Sequence, residues 1–246
     1  MFKPKVSAVM PTYGRIATST CVEEAVASFL MQRYGNKELI IVNDCPSHKI
    51  DCSYDEVRVI NVHKRFDTLG EKLNFGFEHA TGDIFCRFDD DDISLPWRLE
   101  QGVAAARNGH SVWQQSHFWF FGKTRKLETR KEYPTPSKAL FTRAAFEAVG
   151  GFTHMNTGQD VDLEQKFKRL GIDVTREAVP AGAVNYIYRW QTDILHLSSL
   201  GEGGYERLER EYETERFWLQ PHWQEDYSGI ARHLAETIDG EAKTSA

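Results

Sequence analysis

Gly82-Asp83-Ile84-Phe85-Cys86-Arg87-Phe88-Asp89-Asp90-Asp91-Asp92 is the stretch on which the fold turns. Its apolar part reads as a β-strand, and four aspartates stand where that strand ends. A surface acidic run ordinarily sits among polar residues, whereas this one closes an apolar segment. Four like charges held together are unfavourable unless something cationic neutralises them. Mg2+ and Mn2+ suit hard oxygen ligands and take one or two carboxylates, leaving their other positions to water and phosphate oxygens. The run therefore points to a divalent cation on a phosphorylated ligand, with a solvated acidic turn as the plain alternative. An EF-hand does not fit, because the glycine of the sharp turn and the distal glutamate are missing at the required spacing.

Upstream, Val6 to Met10 is a β-prone run closed by Pro11. Val22, Ala25, Val26, Phe29 and Leu30 recur at spacings of three and four, which predicts a helix from about Ser19 to Gln32. Glu38-Leu39-Ile40-Ile41-Val42 is almost continuously apolar, as a strand buried on both faces requires, and it ends at Asn43-Asp44. Val57 to Val62 is a third strand, and Glu71 to Ala80 a helix stopped by Thr81-Gly82. The order strand, helix, strand, strand, helix, strand argues for an α/β sheet with right-handed crossovers. Ligands of such sheets bind beyond the carboxyl ends of the strands. Three of those ends carry polar groups: Thr12-Tyr13, Asn43-Asp44 and the aspartate run.

Downstream, a helix is expected from Pro96 to Asn108. Ser111 to Phe121 is rich in aromatic and β-branched residues, and a basic strand from Lys123 to Tyr133 follows Gly122. The two read as a hairpin that makes the sheet mixed. A short helix from Ala144 to Val149 precedes Gly150-Gly151-Phe152. Leu163, Phe167 and Leu170 share one face of a helix from Asp160 to Leu170, stopped by Gly171. From about Gly203 a Glu/Arg-rich tail with Tyr205, Tyr212, Phe217, Trp218 and Trp223 reads as one or two helices packed on the domain, with a disordered end from about Gly240.

A chain of 246 residues suits one large domain, or one domain with an appendage. No apolar run approaches the ~20 residues needed to span a bilayer, and Met1-Phe2-Lys3-Pro4-Lys5 lacks the apolar segment of a secretory signal. Cys21, Cys45, Cys52 and Cys86 form no C-x-x-C pair and read as reduced thiols, so the expected compartment is cytoplasmic. A net charge of −6 is a poor electrostatic match for nucleic acid. Lys123, Arg125, Lys126, Arg130 and Lys131 nevertheless form a basic strip, either a solvated face or one suited to an acidic glycan, a lipid phosphate or a nucleic-acid backbone.

Five segments, taken in order, resemble the family 2 glycosyltransferases of GT-A fold across about residues 5 to 172. They are Val6-Ser7-Ala8-Val9-Met10-Pro11-Thr12-Tyr13, Leu39-Ile40-Ile41-Val42-Asn43-Asp44, Gly70-Glu71-Lys72-Leu73-Asn74, Phe88-Asp89-Asp90-Asp91-Asp92 with Pro96, and Gly150-Gly151-Phe152 followed by Gln159-Asp160. Gly14 stands where many members carry asparagine, and Gln159 where a glutamate often precedes the catalytic aspartate. The resemblance implies a GT-A (Rossmann-like) mixed, mainly parallel sheet flanked by helices. Its nucleotide-sugar half would span about 1–95 and its acceptor half about 96–200, with a C-terminal helical extension over 201–246. It also implies inverting transfer from a nucleotide-sugar, here a UDP-sugar, to a hydroxyl of a glycan or other acceptor, with Mn2+ or Mg2+ on the diphosphate.

In such enzymes the loop Pro11-Thr12-Tyr13-Gly14-Arg15 contacts the donor, and Tyr13 covers one face of the base unless it merely packs on its own loop. Asp44 would accept from the uracil imide N–H, or serve as a cap or turn aspartate beside Pro46. Arg65 and Lys72 fall where the family often places a cation near the pyrophosphate, and Asn74 would position the same loop. The D-x-D pattern falls on Asp89 and Asp91, which point the same way on an extended segment. Asp91 is the expected metal ligand, Asp89 lies nearer the ribose or metal-bound water, and Asp90 belongs to the donor contacts. His196 is either a further metal ligand or a satisfied loop histidine. Asp160 is the candidate general base, or an N-cap, with Asp162 as fallback; the helix N-terminus lowers its basicity and burial near phosphates raises it. Acceptor contacts are expected from Phe141 to Phe152, the basic hairpin and the aromatic tail.

Three other readings stay open. A sugar-nucleotide nucleotidyltransferase carries a glycine- and arginine-rich loop after its first strand, and Pro11 to Arg15 is too poor in glycine for that. A non-catalytic nucleotide-binding module would bind without turnover. Transfer to a hydroxylated nucleic-acid base would call on the basic strip.

Overall fold

The computed structural model describes residues 3–122, 124–129, 138–190 and 214–244. In chain order the first half holds β1 (Val6–Thr12), α1 (Cys21–Leu30), β2 (Lys37–Asn43), β3 (His48–Asp51), β4 (Val57–Asn61), α2 (Leu69–Glu78) and β5 (Ile84–Arg87). The second half holds β6 (Ile93–Ser94), α3 (Arg98–Arg107), β7 (Val112–Gln115), β8 (His117–Phe121), β9 (Arg125–Thr129), β10 (Leu140–Thr142), α4 (Arg143–Ala148), α5 (Gln159–Arg169) and β11 (Val174–Glu177). It ends with β12 (Tyr186–Arg189), β13 (Glu215–Trp218) and α6 (Tyr227–Thr244).

The main sheet has seven strands in the order β11-β7-β10-β5-β1-β2-β4. β4, β2, β1 and β5 are parallel, while β10 runs antiparallel to both neighbours, so the sheet is mixed and mainly parallel as expected. Period-2 alternation sends successive side chains of the buried strands to opposite faces. Val6, Ala8, Met10, Leu39 and Ile41 meet Val22, Val26 and Phe29 of α1 and Leu99 and Val103 of α3. Val9, Ile40 and Val42 meet Leu73 and Phe77 of α2, Phe146 of α4, and Leu163 and Phe167 of α5. Phe77 anchors the second face, with ring centroids 4.9 Å from Phe85 and 5.0 Å from Phe146. Burying each such side chain contributes about 1.5–3 kcal/mol.

A second sheet of four strands, β6-β12-β8-β9, packs one face on α6 through Trp119, Phe121 and Ile187 against Tyr227, Ala231 and Ala235. Ser111 to Phe121 is thus two strands in two different sheets, parted at Ser116. The tail also differs from its expected form: Phe217 and Trp218 lie in β13, which pairs with β3, and α6 continues to Thr244 rather than fraying at Gly240. Phe141, Phe146 and Phe152 are buried in the core and offer nothing to an acceptor. Lys123, Arg130, Lys131, His196, Tyr205 and Tyr212 lie outside the described residues. All four cysteines are free thiols. Among the described residues no helix is long and apolar enough to cross a membrane.

Candidate functional site

Parallel pairing sets Thr12 of β1 beside Asn43 of β2, and Val9 beside Arg87 of β5, so three carboxyl ends open onto one corner. There Thr12 Oγ1 donates to Asp90 Oδ2 at 2.7 Å. Gly14 turns the chain with φ 65°, a left-handed conformation that glycine and asparagine reach most readily, and a short 3-10 turn over Arg15–Ala17 follows. That turn aims Arg15 back at the acidic run: Nε lies 3.1 Å from Asp90 Oδ2 and Nη2 3.3 Å from Asp91 Oδ2.

The four aspartates are held differently. Asp89 pairs with Arg87. Asp92 accepts from the Tyr186 hydroxyl at 2.6 Å and from the Arg189 backbone N–H at 2.8 Å. Burial first, and then neighbouring carboxylates, push Asp91 up to about 7 and Asp92 up to about 6. Arg15 opposes the rise at Asp91, as does the Tyr186 hydroxyl at Asp92. Burial and the crowding of carboxylates thus disfavour the ionised forms of Asp91 and Asp92. Carboxylate oxygens are the hard donors that Mg2+ or Mn2+ take, one or two at a time with water and phosphate. Among the described residues, no group of three carboxylate, histidine or cysteine side chains is gathered into a full ligand set.

Beneath the loop, Lys72 is buried and donates to the Thr12 carbonyl at 2.6 Å and to Asp44 Oδ1 at 2.5 Å. Burial lowers the Lys72 pKa and Asp44 opposes that shift. The other Asp44 oxygen accepts from Phe66 N at 3.0 Å. The pair therefore braces the ends of β1 and β2 from inside. Arg65 lies over the Tyr13 ring, 4.3 Å from its centroid, and covers one face of it.

Asn74 is brought to a different loop. Its amide brackets Phe152, donating to the carbonyl at 2.9 Å and accepting from the N–H at 2.8 Å. A Cβ on Gly70 would sit 2.0 Å from the Thr153 carbonyl oxygen, and one on Gly151 2.7 Å from Asn74 Oδ1. The Gly70–Asn74 and Gly150–Phe152 segments are thus two halves of one joint, docking α2 on the loop that leads into α5. Asp160 is the second residue of α5, whose N-cap is Gly158 rather than Asp160 itself. Its Oδ1 accepts from Val161 N at 2.9 Å. Asp162 is more heavily engaged, taking the Thr153 hydroxyl at 2.5 Å with Lys166 at 3.7 Å. Arg87 feels the charges of both Asp89 and Asp160, which ties the candidate base to the acidic run.

Sequence reasoning missed the support behind the corner. Arg189 donates through Nε to the Asp91 carbonyl at 2.5 Å and through Nη1 to Glu24 Oε2 at 2.5 Å, and Tyr227 donates to Glu24 Oε1 at 2.7 Å. The available signal was Glu24 itself, a carboxylate set within the apolar stripe of α1. Arg98, fully buried, pins the segment after the run through Ser94 Oγ at 2.7 Å and the Arg87 carbonyl at 3.0 Å.

Residues 7–167 match the model of the Glycosyl transferase family 2. EpsE of Bacillus subtilis, named as a glycosyltransferase, is 38% identical over 109 residues, which cover 41% of this chain and 38% of EpsE. An uncharacterized glycosyltransferase of Rickettsia typhi is 30% identical over 105 residues, covering 42% of this chain and 32% of its own length. These matches span well under half of either relative. TarS of S. aureus, solved with UDP-GlcNAc, superposes with a TM-score of 0.62 at 17% identity, over 79% of this chain and 61% of that one. The mannosyltransferase PcManGT of Pyrobaculum calidifontis, solved with GDP-Man and Mn2+, gives 0.59 at 15% identity over 100% and 76%. The fold is GT-A.

Proposed function

The chain belongs to glycosyl transferase family 2, and from that premise we propose that it moves a sugar from a UDP-sugar to an acceptor hydroxyl with inversion, using Mn2+ or Mg2+ on the diphosphate. The observation that carries this reading is the convergence of Thr12, Arg15, Asp90 and Asp91 at the carboxyl ends of parallel strands. Asp91, with Asp89 or Asp90 beside it, would hold the cation, whose role when bound is to offset charge on the departing diphosphate. Arg15 then stands next to the phosphates, and Thr12 and Tyr13 next to the nucleoside. Asp160 takes the proton from the acceptor hydroxyl as that oxygen attacks the anomeric carbon. It suits this role better than Asp162, whose carboxylate already takes the Thr153 hydroxyl and lies near Lys166. Asp44 supports uridine only through its remaining lone pairs, since each of its oxygens already accepts one hydrogen bond.

The test is a screen of UDP- and GDP-sugars for donor hydrolysis with Mn2+, Mg2+ and a chelator. Nucleoside diphosphate release from a UDP-sugar, abolished by the chelator, is the expected result. In a parallel assay, pyrophosphate release from UTP and a sugar 1-phosphate points to a nucleotidyltransferase, and tight UDP binding without turnover to a binding module.

A further inference from the structure

Tyr186, Tyr188 and Trp190 occupy alternate positions along β12 and its continuation, so their rings leave the same face of the four-stranded sheet. Tyr186, at the inner end, is buried with its hydroxyl on Asp92. Tyr188 is half-buried, and Trp190 is 41% exposed. At about 3.3 Å per residue, Tyr188 stands about 7 Å and Trp190 about 13 Å along the strand from Tyr186. β8 runs parallel beside β12 and sets the half-buried Phe120 opposite Tyr188. Ring centroids are 6.1 Å apart for Phe120 and Tyr188, and 6.1 Å for Tyr188 and Trp190, whose planes differ by only 30°. The other face of this sheet is packed on α6, so these rings are not holding that helix.

The ledge begins at the reaction corner. Arg87 feels Asp89, Asp160 and Tyr186 together. Lys138 lies 3.1 Å from the Phe118 ring centroid and 5.1 Å from that of Tyr186, close enough to Asp92 to act on its charge. A molecule lying on the outer rings therefore points its inner end at Asp92 and the acidic run.

We propose that Phe120, Tyr188 and Trp190 form the acceptor platform, and that the acceptor is a carbohydrate of at least two rings whose apolar faces lie on these side chains. This rests on the glycosyltransferase reading. Flat, partly exposed rings spaced about one pyranose apart offer large apolar contact at low entropic cost. A single-stranded nucleic acid also stacks on aromatics, but it needs a groove of cations to follow its phosphates. Among the described residues, this face sets the exposed Lys126 opposite Phe120 and buries Lys138 among the rings. Arg125 lies opposite Phe121 on the face toward α6 and pairs with Glu225 at 2.6 Å, so these residues make no continuous track of cations. The net charge of −6 opposes a polyanion as well.

The experiment probes a microarray of linear glucose, N-acetylglucosamine, galactose and mannose oligosaccharides, plus an oligothymidylate, with the wild type, Trp190→Ala and Trp190→Phe. UDP and Mn2+ are present throughout, and UDP affinity is measured in parallel by calorimetry. Trp190 is exposed, so its replacement leaves the core intact. Retention of the wild type on at least one oligosaccharide series, about tenfold weaker in Trp190→Ala and largely restored in Trp190→Phe, is expected, with UDP affinity unchanged. Equal retention by Trp190→Ala, retention on oligothymidylate instead, or no retention on any oligosaccharide overturns the proposal. A wild type that binds no UDP yet shows the Trp190-dependent glycan retention sinks the donor reading and leaves the platform standing.

Discussion

The acidic corner and the aromatic ledge meet at Tyr186 and are built on opposite terms. At the corner, carboxylates, a guanidinium and an ammonium are buried together, each fixed by named partners, because a buried charge without a partner costs several kcal/mol. Along the ledge the rings pass from buried to exposed, and what holds them is contact area, which is non-directional. Charge dictates one arrangement, whereas apolar surface tolerates several. The corner should therefore respond sharply to single-atom changes and to pH, and the ledge gradually to changes in ring area.

Asp160→Asn gives the largest expected effect. Loss of a general base lowers transfer by about 10²–10⁴-fold, while the affinity for UDP with Mn2+ and the retention of glycans stay as in the wild type. Initial rates with a saturating donor measure it. Unimpaired transfer would move the base to Asp162 on the same helix, or off α5 altogether.

Asp91→Ala comes next. Affinity for UDP in the presence of Mn2+ should fall about 100-fold, equivalent to about 2.7 kcal/mol, without loss of glycan retention. Stability should hold or rise, since the substitution removes a carboxylate that burial disfavours while Arg15 keeps Asp90. Calorimetric titration and a thermal melt read both; tight UDP binding with Mn2+ by the variant would break the assignment.

Acid separates the two regions further. An aspartate in the unfolded chain titrates near ~3.9. Asp91 at about 7 and Asp92 at about 6 in the folded protein mean that the fold binds more protons than the unfolded chain between those limits. Their contribution to stability is therefore greatest at low pH and is lost as pH rises through about 7. Affinity for Mn2+ with UDP runs the other way, because the ligating carboxylates must be ionised, and it should drop about tenfold from about pH 7.5 to about pH 6. Melts with and without Mn2+ and UDP at the two pH values test the opposed slopes. Glycan retention on the rings should not follow either one.

The same contrast explains what could be read from residues alone. Asp89 to Asp92 at a strand end, and Asn43-Asp44 at another, are costly placements that announce a reason, and the parallel strands behind them have continuous apolar runs. The aspartates, Asn43-Asp44 and Thr12 stood out for that cause, whereas Arg15 came only with the family resemblance. Aromatic residues announce nothing of the kind: Phe141, Phe146 and Phe152 were expected at an acceptor but pack around Phe77 in the core, while Phe120, Tyr188 and Trp190 lie along the second sheet, half-buried or exposed. Lys72 and Asn74 have the right chemistry for phosphate or loop contacts, but their partners, Asp44 and Phe152, are 28 and 78 positions away. Such pairings depend on topology. Phe217 and Trp218 were read as helical because their pairing partner, β3, is a four-residue strand with no pattern of its own.

The smallest effect tests whether the C-terminal extension belongs to the corner or merely abuts it. Glu24 takes the Tyr227 hydroxyl and Gln224 N on one oxygen and Arg189 on the other, and Arg189 in turn holds the Asp91 carbonyl and, through its backbone, Asp92. Tyr227→Phe removes one donor to a buried carboxylate yet leaves Arg189 in place, so it should lower stability by about 1–3 kcal/mol. Arg189 loses its 3.2 Å bond to the Tyr227 hydroxyl but keeps Glu24 and the Asp91 carbonyl, so UDP affinity with Mn2+ should fall only about two- to threefold, far less than in Asp91→Ala. A variant as stable as the wild type would reduce α6 to packing on the small sheet. One that lost UDP binding as completely as Asp91→Ala would show that the extension, and not only the strand ends, sets the geometry of the acidic run.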